Sequence, residues 1–231
     1  MSSSVHPSAP GLVVAIDGTS GSGKSSTSRG VAARLGLRYL DTGAMFRAIT
    51  WWLLDQGVDV HDAAAVAERT AEPRIVSGTD PVAPTITVDG VDVAAEIRSD
   101  LVNAAVSPVS AVPEVRARLL REQRSIIGEG DIVVEGRDIG SVVAPDAEVK
   151  LYLTADPAAR AARRTAELSG ADVAATEQDL VRRDAFDSGR ATAPLKRADG
   201  ALHLDTTPFT LDEVVEQIVA LVRQSRATTG T

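Results

Sequence analysis

Eight consecutive residues constrain this chain more than any others. Gly18, Thr19, Ser20, Gly21, Ser22, Gly23, Lys24 and Ser25 satisfy the pattern G-x-x-x-x-G-K-[ST]. They follow Leu12-Val13-Val14-Ala15-Ile16, an apolar run of the kind that forms a strand buried on both faces. They precede a helical pattern over 25–35 that Gly36 stops. A strand, a glycine-rich turn and a helix N-terminus in that order make an anion cradle. Glycines let successive N–H groups curl around phosphate oxygens, and the helix end adds partial positive charge. Lys24 is placed to bridge the outer phosphates, and the Ser25 hydroxyl suits a Mg²⁺ ion. A nucleoside triphosphate site running from Gly18 to Ser26 is implied. The competing reading, a glycine-rich turn with no ligand, does not account for the lysine and hydroxyl at fixed spacing.

The rest of the chain alternates strand and helix patterns. Short strand candidates recur at 38–41, 131–134, 149–153 and 201–204. Helical patterns lie at about 42–56, 99–111, 113–128, 156–168, 176–189 and 211–226. This alternation implies an α/β fold: a central parallel sheet with helices on both faces, a three-layer α/β/α arrangement. Residues 73–93 alternate as strands do, broken by Gly78, Pro81, Pro84 and Gly90, and read as a hairpin-rich insert outside the core. A length of 231 residues fits a single domain, expected over 11–227, between tails at 1–10 and 228–231. The first ten residues have no basic region followed by an apolar one, so no signal peptide is read there. With no cysteine and no apolar span approaching the ~20 residues that cross a bilayer, a cytoplasmic protein is expected.

Net charge is −8, which disfavours a nucleic-acid polymer or an acidic membrane as partner. Any anionic ligand then needs a local basic pocket. Lys24, Lys150 and Lys196 are the only lysines among 24 cationic residues, so arginine carries the rest, most of it read as ordinary surface charge.

Three clusters suggest where such a pocket lies. Asp41-Thr42-Gly43-Ala44-Met45-Phe46-Arg47 opens a helix after a short strand, placing a hydroxyl and an arginine where an acceptor phosphate could dock. Alone it reads equally well as a helix cap and a solvated arginine. Glu135-Gly136-Arg137-Asp138 follows the strand at 131–134, and the carboxyl ends of parallel strands face the ligand crevice. Arg183, Asp187 and Arg190 are spaced to share one helix face, beside Arg160, Arg163 and Arg164 on the helix before. Without a phosphate loop that face would read as surface salt bridging. With one, it reads as an arginine-bearing lid, since phosphoryl transfer is catalysed by positioning and charge neutralisation. No lysine is followed two residues later by aspartate, so the base-reading motif of a regulatory GTPase is missing. Trp51 and Trp52 are read as core packing.

Taken together, the phosphate loop, Leu40 to Arg47, Glu135 to Gly140 and the Arg183, Asp187, Arg190 spacing resemble the bacterial cytidylate kinase family of P-loop nucleoside monophosphate kinases. The resemblance covers nearly the whole chain. It implies Mg²⁺-dependent transfer of the ATP γ-phosphoryl group to CMP or dCMP, an acceptor-binding region at about 42–112 enlarged by the insert, and a helical lid at about 165–194. It implies that Arg47, Arg137 and Arg190 grip the acceptor phosphate, with Thr42 adding its hydroxyl. Ser107, Arg116 and Asp138 read cytosine, and Arg183 and Asp187 contact the ribose. Lys24, Arg137, Arg183 and Arg190 carry catalysis, Arg160 joins the loop at ATP, and Glu135 meets the metal through water. A monomer is expected. Phe46 stands where the family often has tyrosine, Thr42 where some members have serine, and Glu135 where relatives carry aspartate. Other small-molecule P-loop kinases, or more remotely a P-loop ATPase or switch with a protein partner, are the alternatives.

Overall fold

A computed structural model describes residues 11–167, 172–190 and 192–229. The expected tail at 1–10 and residues 168–171 and 191 of the expected lid lie outside that range.

Five strands, β1 (Val13–Gly18), β2 (Arg38–Asp41), β6 (Ile132–Gly136), β7 (Val149–Thr154) and β8 (Leu202–Asp205), form one sheet in the order β2-β6-β1-β7-β8. Every pairing in it is parallel. Because side chains alternate along a strand, each strand feeds two cores. Ala15, Leu40, Ile132 and Val134 face one side, against α2 (Thr42–Asp55), α4 (Asp100–Ala111) and α5 (Pro113–Ile127). Val14, Ile16, Tyr39 and Val133 face the other, against α1 (Lys24–Leu35) and α8 (Leu211–Thr229). The continuous apolar run of β1 follows from this double burial, each such side chain contributing about 1.5–3 kcal/mol. Gly36 ends α1 in the left-handed region, where its amide reaches the last carbonyls.

Three boundaries differ from the sequence reading. β6 runs on through Glu135 and Gly136, so Glu135 is a buried strand residue rather than part of a loop. α7 (Val173–Gly189) stops before Arg190, which is extended and only follows the helix face of Arg183 and Asp187. α8 continues to Thr229, two residues into the expected tail. A short α3 (Ala63–Arg69) and a π-helical turn at Ile139–Val143 complete that half of the chain.

The insert corrects a further expectation. β3 (Ile75–Ser77), β4 (Ile86–Val88) and β5 (Val91–Asp92) do form a small antiparallel sheet, but it belongs to the core. Ile86, Val88 and Val93 are buried in the same cluster as Ile49 and Leu53 of α2. Prolines and glycines interrupt the strands without preventing alternate residues from turning inward. The β3–β4 loop is also tied to the main sheet: the Tyr39 amide donates to the Thr79 carbonyl at 2.9 Å, and Arg29 of α1 donates to the carbonyls of Pro81 and Val82.

The same device recurs in three more arginines, which gives them a structural role that a reading as surface cations does not supply, while most of the other arginines outside the cleft are exposed. Arg38 donates to the carbonyls of Ile126, Ile127 and Gly130 at 2.7–2.8 Å, closing the C-terminal end of α5. Arg118 holds those of Thr70 and Pro73, and Arg124 those of Val142 and Val143. A planar fork with five donors satisfies several main-chain acceptors at once, which an ammonium cannot match geometrically. Trp52 packs in the core as expected, with the Arg69 guanidinium 5.1 Å from its ring centre.

Candidate active site

The loop after β1 is shaped by close contacts. A side chain at Gly18 would place its Cβ 2.0 Å from the Leu153 carbonyl oxygen, and φ there is 151°. Only glycine lets the chain turn against β7 at that point. Gly23 is also left-handed and opens α1 with no side-chain cap, so the first helical amides remain available to an anion. Lys24 is 7% exposed and donates to the Thr19 carbonyl at 2.6 Å. Burial, reinforced by the Arg137 charge, pulls its ammonium down to about 7.

Next to the loop, Glu135 points from the end of β6, buried, with the Tyr39 hydroxyl donating to one carboxylate oxygen. Burial and the neighbouring Asp41 push Glu135 up to about 7. The Thr42 hydroxyl donates to the Glu135 carbonyl at 2.7 Å, joining the start of α2 to the end of β6. Asp41 caps α2 through the Ala44 amide.

A single cleft of about 890 Å³ runs from this loop towards the insert. It brings together most of the residues named from the sequence: Ser20 to Ser26, Thr42, Arg47, Ser107, Arg116, Glu135, Arg137, Asp138, Arg183, Asp187 and Arg190 all line it. Gly18, Thr19 and Arg160 do not. Gly18 and Thr19 are turned against β7, and Arg160 lies behind the loop, 5% exposed, donating to the Ser20 carbonyl and to Asp184. Arg163 and Arg164, one turn on along α6 (Pro157–Glu167), reach the cleft instead. Helical spacing could have offered all three arginines but not decided which faced inward.

Within the cleft Arg116 pairs with Asp138, and its guanidinium lies 5.4 Å from the Phe46 ring centre. Arg47 donates to the Ile97 carbonyl and to Asn103, and burial, with the Arg183 charge, lowers it to about 9. Burial likewise lowers Arg183 and Arg190. Arg137 repels Arg183, and Arg116 repels Arg190, so the cleft holds mutually unfavourable cations that an anion would relieve.

Two carboxylates escaped the sequence reading. Asp17, 2% exposed at the end of β1, accepts from the amides of Ile139 and Gly140 at 2.7 and 2.8 Å. It thereby fixes the π-helical turn that begins one residue after Asp138; π-turns are frequent at functional sites. Asp184 accepts from the Ser20 amide at 2.8 Å. Neither signal is periodic, and both partners lie more than a hundred residues away in sequence.

A central parallel sheet with a phosphate loop at the end of its middle strand, facing an arginine-lined half-cleft, defines a P-loop kinase, an enzyme that transfers phosphoryl groups. At the level of fold it is similar to a gluconokinase from Sinorhizobium meliloti 1021, with a TM-score of 0.50 and 13% identity over 96% of this chain and 97% of that one. The family model for cytidylate kinase matches residues 14–224. A cytidylate kinase of Streptomyces avermitilis is 59% identical over 94% of this chain and 95% of that one. Another from Streptomyces griseus subsp. griseus is 57% identical over 98% and 99%. The chain belongs to the cytidylate kinase family.

Proposed function

We propose that this protein transfers the γ-phosphoryl group of ATP to CMP, and to dCMP, giving ADP and the corresponding diphosphate. The observation that carries the reading is that one cleft holds a phosphate loop at one end and the Arg116–Asp138 pair beside Phe46 at the other. Cytosine presents an N4 amino donor and N3 and O2 acceptors. A carboxylate and a guanidinium side by side complement that edge, whereas uracil O4 would set an acceptor against Asp138.

The loop from Gly21 to Ser26 holds the ATP phosphates, with Lys24 leaving the Thr19 carbonyl for the outer phosphates. Arg47, Arg137 and Arg190 neutralise the acceptor phosphate, and Arg183 and Asp187 meet the ribose beside Ser107. Arg163 and Arg164 take the nucleotide-side role that the sequence reading gave to Arg160. Magnesium fits the donors present. The Ser25 hydroxyl and the buried Glu135 carboxylate border the loop, and among the described residues no cluster of three ligands forms a dedicated metal cage. Such a sparse set suits an ion that arrives on the nucleotide and keeps most of its waters. When bound it neutralises phosphate charge; the chain's own cations orient the two substrates in line, and no residue forms a covalent intermediate. Excluding water requires closure of the acceptor region at about 42–112 and of the lid at about 165–194 over the core. Each chain carries both halves of the cleft, in keeping with a monomer, and the substrates are those of the cytoplasm. Among the described residues no helix is long and apolar enough to cross a membrane.

ADP formation measured with CMP, dCMP, UMP, AMP and dTMP tests the reading. CMP and dCMP are expected to lead. ADP release indifferent to the acceptor would make the protein an ATPase, and UMP or AMP exceeding CMP by about tenfold would reassign the base site.

A further inference from the structure

Ser20 sits within the phosphate loop, yet all three of its polar groups are held by protein. Its amide donates to Asp184 Oδ1 at 2.8 Å, and its carbonyl accepts from Arg160 Nη1 at 2.8 Å. Its hydroxyl accepts from Arg137 Nη2 at 2.5 Å. Asp184 and Arg160 are themselves paired, on α7 and α6, with side chains 14% and 6% exposed. Arg137 reaches over from the end of β6, donating also to the Gly18 carbonyl and to Asp187 of α7 at 2.9 Å each. The loop crest is seated on the same helices: a Cβ at Gly21 would lie 3.3 Å from Arg160 and 3.4 Å from Leu180. One serine is thus the point where the loop, the β6 arginine and helices α6 and α7 meet.

We propose that Ser20 is a positioning residue that acts on phosphoryl transfer through Arg137, and not a ligand of the nucleotide. Arginine has five N–H groups in a rigid plane. Three are anchored by Gly18, Ser20 and Asp187, which fixes the orientation of that plane while Arg137 still lines the cleft. The remaining donors then meet the acceptor phosphate oxygens without a search over rotamers, which is how preorganised charge lowers a barrier. The hydroxyl supplies the one anchor that lies on the loop itself. It therefore registers Arg137 to the ATP phosphates rather than to the lid alone. Through its amide and carbonyl the same residue ties the loop to the Asp184–Arg160 pair, so the loop shares a frame with α6 and α7. This rests on the assignment of Arg137 to the acceptor phosphate made above.

The test is a double-variant cycle on the intact enzyme: wild type, Ser20→Ala, Arg137→Lys and both together, with kcat, the KM for each substrate and thermal unfolding. Ser20→Ala is expected to lower kcat about tenfold, the size of one charge-assisted hydrogen bond, with the KM for ATP changed by less than about twofold. In the Arg137→Lys background the same change is expected to cost less than about twofold, because its route is already gone. Ser20→Thr, which keeps the hydroxyl, is expected to restore the rate. Losses that multiply in the double variant overturn the proposal. So does a raised KM for ATP at unchanged kcat, which would make the hydroxyl a nucleotide ligand. A lowered unfolding temperature with unchanged kinetics overturns it too. If the wild type prefers another acceptor, the CMP reading fails, but the cycle run with that acceptor still decides the coupling.

Discussion

Arg116 and Asp138 form an ion pair whose side chains are only 11% and 8% exposed, and the same guanidinium lies over the Phe46 ring. A pair so little hydrated has each member's charge balanced mainly by the other, so an incoming base must match both at once. Asp138→Ala is therefore expected to reduce kcat/KM for CMP by roughly 10²-fold or more while costing UMP much less. Steady-state rates with the two acceptors check this. Equal losses would mean that Asp138 serves only to hold Arg116.

Lys24 yields a prediction about protons. Its ammonium, brought down to about 7, is mostly neutral near pH 8 in the empty site. Polyphosphate beside it restores the charged form. ATP binding near pH 8 is then expected to take up close to one proton per chain, and Lys24→Met to take up none. Titration calorimetry in buffers of different ionisation enthalpy reads the number directly. No uptake in the wild type would show that Lys24 is already charged.

Asp17 has the opposite sign from a salt-bridged acid. Burial outweighs its two amide hydrogen bonds and raises it from 3.8 to about 6. The neutral acid stabilises the fold, fully below the unfolded value, and that contribution is lost as pH rises through about 6. Asp17→Asn cannot ionise. Between about pH 4 and pH 7 the stability difference between the proteins is expected to move in favour of the variant by about 2 kcal/mol. Denaturant unfolding at both ends of the range measures it; a constant difference would place Asp17 near an ordinary carboxylate.

Arg38, which does not line the cleft, permits a test of stability alone. Its three carbonyl acceptors at the end of α5 and in the turn after it lose their partner in Arg38→Met, with an expected cost of about 2–4 kcal/mol. Arg38→Lys is expected to recover only part of it, since an ammonium cannot reproduce the fork. Unfolding midpoints with kcat measured alongside separate this from any effect on catalysis.

Much of this was legible in the chain before its coordinates. The strand at 38–41 and the helix stop at Gly36 lie where periodicity and glycine placed them, because local preference and burial agree there. That Arg137 and Asp138 line the cleft followed from strand ends facing the crevice, whereas Arg47, on a helix, was placed there by the family resemblance. What periodicity could not supply was the partner of a polar group. Nothing in the residues around Ser20 announces that its amide is engaged by Asp184, 164 residues away. The turn of Arg160 behind the loop is equally unannounced. Ile86 and Val88 were misjudged because breakers around them suggested a surface hairpin, although their alternation already matched a half-buried sheet.

The arginine forks of Arg29, Arg38, Arg118 and Arg124 carry a consequence for how this sequence tolerates change. They grip main-chain carbonyls, which every residue possesses, at Pro81, Val82, Ile126, Ile127, Thr70 and Val142 among others. The gripped segments are free to drift in side chain so long as their backbone path is kept. The gripping positions are not, because lysine keeps the charge and loses the plane. Substitution scanning should therefore find permissive loops held by intolerant arginines tens of residues away in sequence, a pattern that reads as scattered rigidity along the chain and as a few clasps in space.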